Sequence, residues 1–303
     1  MTAATDSGAA PAPPAYVLAD VVRVTPLSPG MTRITLFSET LRGYPSTRVG
    51  DEYVRVHFPL ESGELLVPEV DEGGDWHYPE GRYPHIQPYT IRRFDPDAGE
   101  ADIDFVLHGH GRATRWASGA RPGDRLLFGP PRSLYEAPAA AARQIFVTDA
   151  TGLPALGRLL EQLDPATRAV AVVEIADASH RIPLTSPARL EVRWVAGRGN
   201  GVAPSAITEI LRGLDIAPGT YVWVAGESRE LRDARRYLRH ERRLPGDWYK
   251  VIGYWTYKQE EWRQKYEALD PGVLAQLNDV WEATEDEELR RDLYEAGLER
   301  LGL

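Results

Sequence analysis

Two hydrophobic periods divide this chain. Over residues 16–138, apolar and polar positions alternate in short runs broken by turn residues. The runs are YVLADVVRVTPL (16–27), MTRITLFS (31–38), DEYVRVHFP (51–59), HIQPYTIRRF (85–94), ADIDFVLHG (101–109) and DRLLFGPP (124–131). Period-two alternation rich in Val, Thr, Tyr and Phe predicts half-buried strands. Six strands at this spacing predict an antiparallel barrel or sandwich. The acidic, Gly-rich and aromatic stretch 61–83 between them reads as an exposed loop.

After an Ala/Pro-rich linker at 137–142 the pattern changes. Short apolar runs at 144–150, 168–176, 191–197, 221–227 and 248–255 alternate with amphipathic segments at 151–163, 204–214 and 228–242. Strands alternating with helices predict βα units and a mostly parallel sheet, with ligands at the C-terminal strand ends. Those ends are 149–154, 197–201, 225–228 and 253–255. Residues 259–303 read as an amphipathic helical extension, with Trp262, Tyr266, Leu269, Leu277, Trp281, Leu289, Leu293 and Leu298 as its apolar positions. The expected organisation is therefore a disordered Ala/Pro-rich leader (1–15), a β-barrel domain (16–138), an α/β domain (143–258) and a helical C-terminal extension (259–303). The fold class is two-domain, β followed by α/β.

Composition narrows the chemistry. A length of 303 residues suits about two domains at roughly 150 residues each. There is no cysteine, which removes disulfides, thiolate metal sites, a Cys nucleophile and Cys-ligated iron–sulfur clusters. Redox chemistry here needs a bound organic cofactor. The net charge of −10 argues against general nucleic-acid binding. Residues 256–303 hold 13 Asp/Glu against 6 Lys/Arg, so the extension supplies −7 of that charge. No apolar run is long enough for a membrane span, and the leader has neither the basic start nor the apolar core of a secretory signal. The expected location is the cytoplasm. The sequence holds no GxSxG, HExxH or Walker A pattern, and its seven histidines are scattered, so no protein metal site is expected.

The densest chemistry lies at 87–116, QPYTIRRFDPDAGEADIDFVLHGHGRATRW. Tyr89, Thr90, Arg92 and Arg93 offer an aromatic ring, a hydroxyl and two guanidinium groups, a set that suits a flat, phosphate-bearing cofactor. The strand that follows runs into a Gly turn and a helix start at 113–116. Free backbone N–H groups there would face a pyrophosphate.

Several motifs in this order, PYTIRRF, DFVLHGHGRATRWASGARPGDRL with GPPRSLY, VTDATGLPALGRLLEQL, WVAGESRELRDARRYLR and VIGYW, resemble the siderophore-interacting proteins, the FAD-dependent ferric-siderophore reductases of the ferredoxin-reductase superfamily. The resemblance spans about residues 17–255. It implies a flavin-binding barrel and a nicotinamide-type domain that together reduce ferric siderophores with NAD(P)H or, in some members, ferredoxin.

Carried over by motif, Tyr89 would lie against the isoalloxazine with the Thr90 hydroxyl near N5, and Arg92 would pair with phosphate. Gln87 stands where the superfamily has an Arg, so an amide replaces a charge. Leu107, His108, Gly109, Gly111, Ala113, Thr114 and Trp116 would form the second flavin element, with Arg112 where the family usually has Pro. Asp149, Thr151 and Gly152 would meet the nicotinamide or its phosphates, with Ala150 replacing a family Glu. Ala225, Gly226 and Glu227 would lie where nicotinamide stacks, and Trp255 would border the flavin or serve as a core residue. Arg55, Arg132 and Lys258 are the candidate cations for an anionic ferric siderophore. Tyr53 replaces a family His, and Thr256 replaces an Arg. Arg229 and Arg232 leave NADPH open beside NADH. Iron reduction by a flavin needs no acid or base, so no catalytic side chain is assigned. Two rival readings stand beside the ferric-siderophore reductase. One is a flavin reductase supplying a biosynthetic oxygenase; the other is a non-enzymatic siderophore- or flavin-binding module.

Overall fold

The computed structural model describes residues 16–70, 76–78, 82–107, 111–282, 284–285 and 287–303. The leader, His108 and Gly109 therefore lie outside the described residues. The chain divides into two compact units.

The first unit is built on a closed antiparallel barrel. Its strands are β1 (Val17–Ser28), β2 (Met31–Phe37), β3 (Tyr53–Phe58), β6 (His85–Asp95), β7 (Glu100–Val106) and β8 (Arg125–Phe128), in the order β1-β2-β7-β6-β3-β8. Alternation sets what faces inward. Val17, Ala19 and Val21 of β1 are buried while Leu18, Asp20 and Val22 are exposed. The interior is filled by Ile34, Leu36, Val54, Val56, Phe58, Ile91, Ile103, Phe105, Leu126 and Phe128, each at most 1% exposed. Burying an aliphatic or aromatic side chain of this size stabilises by about 1.5–3 kcal/mol. A short helix, α1 (Arg112–Gly119), follows β7 and packs Ala113 and Ala117 on this core. The stretch expected as loop contains a small antiparallel pair, β4 (Glu69–Val70) with β5 (Trp76–His77).

The second unit holds a five-stranded parallel sheet in the order β11-β10-β9-β12-β13. Its strands are β9 (Arg143–Thr148), β10 (Arg168–Ile175), β11 (Arg189–Ala196), β12 (Thr220–Glu227) and β13 (Tyr249–Trp255). All eight residues of β12 are buried, as expected of an inner strand covered on both faces, whereas β11 alternates because it is an edge. The chain runs outward from β9 to β10 and returns to β12 on the other side. The switch point therefore lies outside the C-terminal ends of β9 and β12, where open α/β sheets bind ligands. Helices α3 (Ile207–Gly213) and α4 (Leu231–Arg236) cover the sheet with Ile207, Leu211, Leu231 and Ala234.

Helix α2 (Leu153–Glu161) follows β9 in sequence, yet Pro154–Gln162 groups with the barrel unit. Gly50 has no side chain, and a Cβ there would meet the Leu159 amide nitrogen at 2.5 Å, so the helix backbone closes directly on that loop. Arg158 then reaches Glu52 (2.9 Å) and the Ile91 carbonyl (2.6 Å) inside the barrel unit. Residues 151–163 read as part of the second domain from periodicity alone; a missing side chain and one buried ion pair decide the grouping.

The extension forms α5 (Gln259–Glu267), α6 (Pro271–Asp279) and α7 (Glu287–Arg300). Leu277, Leu298 and Leu303 make a small core with Trp262, Tyr266 and Leu269. The other expected apolar positions are not core: Trp281, Leu289 and Leu293 remain 38–41% exposed. The extension is tied to α4 by ion pairs, Arg235 to Glu295 and Arg236 to Glu299, and by Arg232 donating to the Leu303 carbonyl at 3.0 Å. No helix among the described residues is long and apolar enough to cross a membrane.

Candidate functional site

The barrel part of the site is set by the register between β3 and β6. Val54 and Val56 point into the core, so their partners Tyr89 and Gln87 share the inner face. Tyr53 and Arg55 point outward, with Thr90 and Pro88 opposite them. The half-buried Tyr89 ring joins the core aromatics, with centroids 4.5 Å from Phe105 and 5.9 Å from Phe58. Its phenol donates to Gln87 Oε1 at 3.4 Å, and burial pushes its pKa up. Thr90 is 6% exposed, and its hydroxyl has no partner among the described residues.

Helix α1 supplies the second part. Gly111 precedes it at φ 110°, ψ 150°, a region only glycine occupies without strain. Gly111 has no side chain to cap the first turn, and among the described residues no side chain accepts from its backbone N–H groups. Trp116 anchors this helix, packing 5.7 Å from Phe58 and 5.8 Å from Phe105. Leu107 donates its N–H to Gly30 (2.8 Å) and packs on the same core. Ala113 and Thr114 are buried, and the Thr114 hydroxyl lies 3.5 Å from the Val106 carbonyl. A helix start behind a Gly-only backbone, with small buried residues in its first turn, fits a flavin with a pyrophosphate.

The cations distribute unexpectedly. Arg92, expected on phosphate, forms a two-pronged pair with Glu161 at 3.0 and 2.5 Å. Arg93 is held by Asp95, Glu100 and Asp102, and its bonds to Asp102 first and then Glu100 raise its pKa. Neither guanidinium is spare, so neither replaces the charge missing at Gln87. Arg112 pairs loosely with Glu61 at 3.4 Å. Arg115, one turn into α1, is exposed and without an ion-pair partner among the described residues, yet nothing in the sequence singled it out. Arg55 and Arg132 are also exposed and unpaired among the described residues. Arg132 stands opposite Tyr53 in an antiparallel bridge, which puts it on the outer face with Arg55 and Thr90. Lys258, at φ 52°, pairs with Glu261 of its own helix at 3.2 Å.

In the α/β unit the sheet gathers Asp149, Thr151, Gly152, Ala225, Gly226, Glu227 and Trp255 at the C-terminal ends of β9, β12 and β13. Asp149 is 2% exposed. Its carboxylate accepts from the Thr151 amide (2.8 Å), the Thr151 hydroxyl (2.6 Å) and the Trp255 indole (2.7 Å). Desolvation pushes its pKa up despite these bonds, with the Glu227 charge adding to the effect. Asp149 thus ties two strand ends together. Glu227 does the same, accepting from the Arg229, Glu230 and Tyr257 amides at 2.8–2.9 Å. Gly152 is required because a Cβ would meet the Thr148 hydroxyl at 2.0 Å.

Periodicity and motif order missed two residues of this edge. Asn200, at φ 57°, accepts the Ala150 N–H (2.9 Å) and donates to the Glu174 carbonyl (3.1 Å). The buried Glu174 carboxylate holds Ser205 (2.8 Å) and the Ala206 amide (2.5 Å), and desolvation raises its pKa. The short GRGNG segment at 197–201 was the available signal, since its glycines and Asn200 all adopt positive φ. A recess of about 470 Å³ beside this edge sets Arg229 and Arg212 among Glu209, Glu230 and Asp233. Arg232 is taken by the Leu303 carbonyl, whereas Arg229 is exposed and without an ion-pair partner among the described residues.

Comparison with known proteins identifies the family. Residues 20–135 match the model of the siderophore-interacting FAD-binding domain, and residues 141–258 match that of the siderophore-interacting protein. The ferric vibriobactin reductase ViuB of Vibrio cholerae serotype O1 is 30% identical over 251 residues, covering 80% of this chain and 90% of that protein. The NADPH-dependent ferric-chelate reductase of Escherichia coli K12 is 31% identical over 243 residues, covering 78% and 92%. A crystal structure of a siderophore utilization protein from T. fusca superposes with a TM-score of 0.71 at 34% identity, covering 80% of this chain and 93% of that one.

Proposed function

The chain belongs to the siderophore-interacting protein family, and from that premise we propose that it is an FAD-dependent reductase that passes electrons from NAD(P)H to the iron of a ferric siderophore. The net reaction is NAD(P)H with two ferric chelates giving NAD(P)⁺, two Fe(II) and one proton. Hard-oxygen chelates hold Fe(II) far more weakly than Fe(III), so reduction frees the metal.

FAD, when bound, supplies the conversion between a two-electron donor and a one-electron acceptor. The residues of the chain bind and orient. The first-turn N–H groups of α1 behind Gly111, with Arg115, would hold the pyrophosphate. Thr90 would donate its hydroxyl to the flavin ring system, and the Tyr89 ring packs on Phe105 and Phe58 behind that strand. In the α/β unit, Gly152 and Gly226 keep the strand ends bare, and the Asp149–Trp255 and Glu227–Tyr257 bonds hold that edge in one shape for the nucleotide. Arg55 and Arg132 would attract the anionic chelate.

The observation that carries this reading is the outer barrel face. Thr90 lies there across from Tyr53, whose other neighbour is Arg132, with Arg55 two residues along β3. The proposed flavin contact Thr90 and two cations unpaired among the described residues thus share one surface. The test is Fe(II) formation, followed with a chromogenic Fe(II) chelator, by FAD-loaded protein supplied with NADH, NADPH or reduced ferredoxin and a ferric siderophore. Fe(II) should form with at least one donor and stop without protein. Oxidation of NAD(P)H by free flavin with no Fe(II) would instead support the flavin-reductase reading.

A further inference from the structure

Tyr53 occupies the middle of a row that runs from β6 across β3 to an isolated bridge at Arg132. Thr90 of β6 is opposite it on one side. Arg132 is opposite on the other, in a pair that exchanges both backbone hydrogen bonds: Tyr53 N–H to Arg132 O at 2.8 Å and Arg132 N–H to Tyr53 O at 2.9 Å. Arg55 lies two residues along the same face, with the exposed ring of Pro88 across from it. The backbone of Tyr53 is fixed by these two bonds and by its place in β3 beside β6, so its side chain is presented from a rigid platform. The side chain is half-buried, and among the described residues neither its hydroxyl nor its ring has a partner.

We infer that Tyr53 is a specificity-determining residue, selecting ferric chelates whose donor oxygens are carried on aromatic rings over those whose oxygens are carried on alkyl hydroxamates. This rests on the ferric-siderophore reading above. Arg55 and Arg132 respond to charge alone, and charge alone does not distinguish an aromatic anion from any other. A phenol adds two discriminating contacts. Its ring stacks offset or edge-on against a flat aryl ligand, and its O–H donates to an electron-rich aryl oxygen. The Pro88 ring extends the same apolar surface. A hydroxamate chelate offers no ring to Tyr53 or Pro88 and little net charge to the two arginines.

The test uses FAD-loaded protein and gallium(III), which matches ferric iron in charge and size but accepts no electron. Gallium complexes of a tris-catecholate and a trihydroxamate ligand are titrated calorimetrically into wild type, Tyr53→Phe and Tyr53→Leu. Wild type should bind the catecholate complex more tightly. Tyr53→Phe should weaken that complex about 5-fold through loss of one hydrogen bond. Tyr53→Leu should weaken it about 30-fold through loss of bond and ring together. Both variants should keep hydroxamate binding within about twofold. An unchanged catecholate-to-hydroxamate ratio in Tyr53→Leu overturns the inference while leaving the reductase intact. If wild type binds neither complex, the ferric-siderophore reading itself fails. Should Tyr53→Leu fail to retain FAD, Tyr53→Phe decides: a 5-fold loss specific to the catecholate supports the inference, and no change overturns it.

Discussion

Gly111→Ala is the sharpest single perturbation of the flavin cradle. At φ 110° and ψ 150° an alanine is strained by about 1–3 kcal/mol, equivalent to roughly 5- to 140-fold in an equilibrium constant. The backbone has two ways to respond. If it keeps its shape, the strain appears as lost stability of the FAD-free protein and FAD affinity is unchanged. If the turn relaxes, the free protein keeps its stability, but the α1 N–H groups no longer converge, and FAD must rebuild the turn against that strain. Gly111 itself has no side chain to cap α1 and hold the turn in place, which favours the second response. The expected result is therefore an FAD dissociation constant raised about tenfold or more, with little change in the unfolding midpoint of the free protein. Flavin-fluorescence titration and urea unfolding read the two quantities separately. Gly119→Ala is the control: it ends the same helix, and a Cβ there meets nothing within 4 Å. It should leave FAD affinity unchanged and stabilise the helix by about 0.5–1 kcal/mol. A Gly111→Ala protein that binds FAD within twofold of wild type would refute the assignment of the α1 start to the pyrophosphate.

Other consequences follow from the same geometry. Gln87→Arg restores the missing charge and should tighten FAD binding about tenfold at low salt, with the gain shrinking as salt is raised; FAD titrations at two ionic strengths check this. Arg158→Met leaves the fully buried Glu52 carboxylate, among the described residues, with Ser46 and the Thr47 amide as partners, and should cost about 3 kcal/mol in urea unfolding. Adding Glu52→Gln should recover part of that loss. His57 is 1% exposed, accompanied by the Tyr16 ring, the Tyr78 hydroxyl and the nearby Arg55 charge; burial first, then Arg55, lower its pKa from 6.5 to about 4. The unfolded chain therefore binds the extra proton first as pH falls. Stability present above about pH 6.5 should decline toward about pH 4 by about 3 kcal/mol, and His57→Phe should flatten that part of the profile.

The sequence was legible where one physical signal dominated. Period-two alternation announced all six barrel strands because a closed barrel has one dry face and one wet face. The parallel strands were equally visible as short apolar runs, with β12 buried along its whole length. Motif order placed Asp149, Ala225–Glu227 and Trp255 at the strand ends where the fold gathers them. Legibility failed where a side chain had a choice of partner. Arg92 and Arg93 read as free cations, yet Glu161 lies 69 residues away in sequence and Asp102 lies on the neighbouring strand β7, and no local pattern reveals either pairing. The grouping of α2 turned on Gly50, a glycine whose significance appears only when a backbone is seen closing on it. The extension read as more apolar inside than it is, because helical spacing in Leu289 and Leu293 marks a stripe but not what covers it.

The central claim is that a flavin held by the barrel unit receives electrons from a nicotinamide nucleotide and delivers them to ferric siderophore. An anaerobic absorbance titration of the purified, FAD-loaded protein tests it most directly. NADH or NADPH should bleach the visible flavin bands, and a ferric siderophore added afterwards should restore them, with two chelates consumed for each nucleotide oxidised. Bands that stay unbleached with both nucleotides, or that bleach but do not return with any ferric chelate, would contradict it.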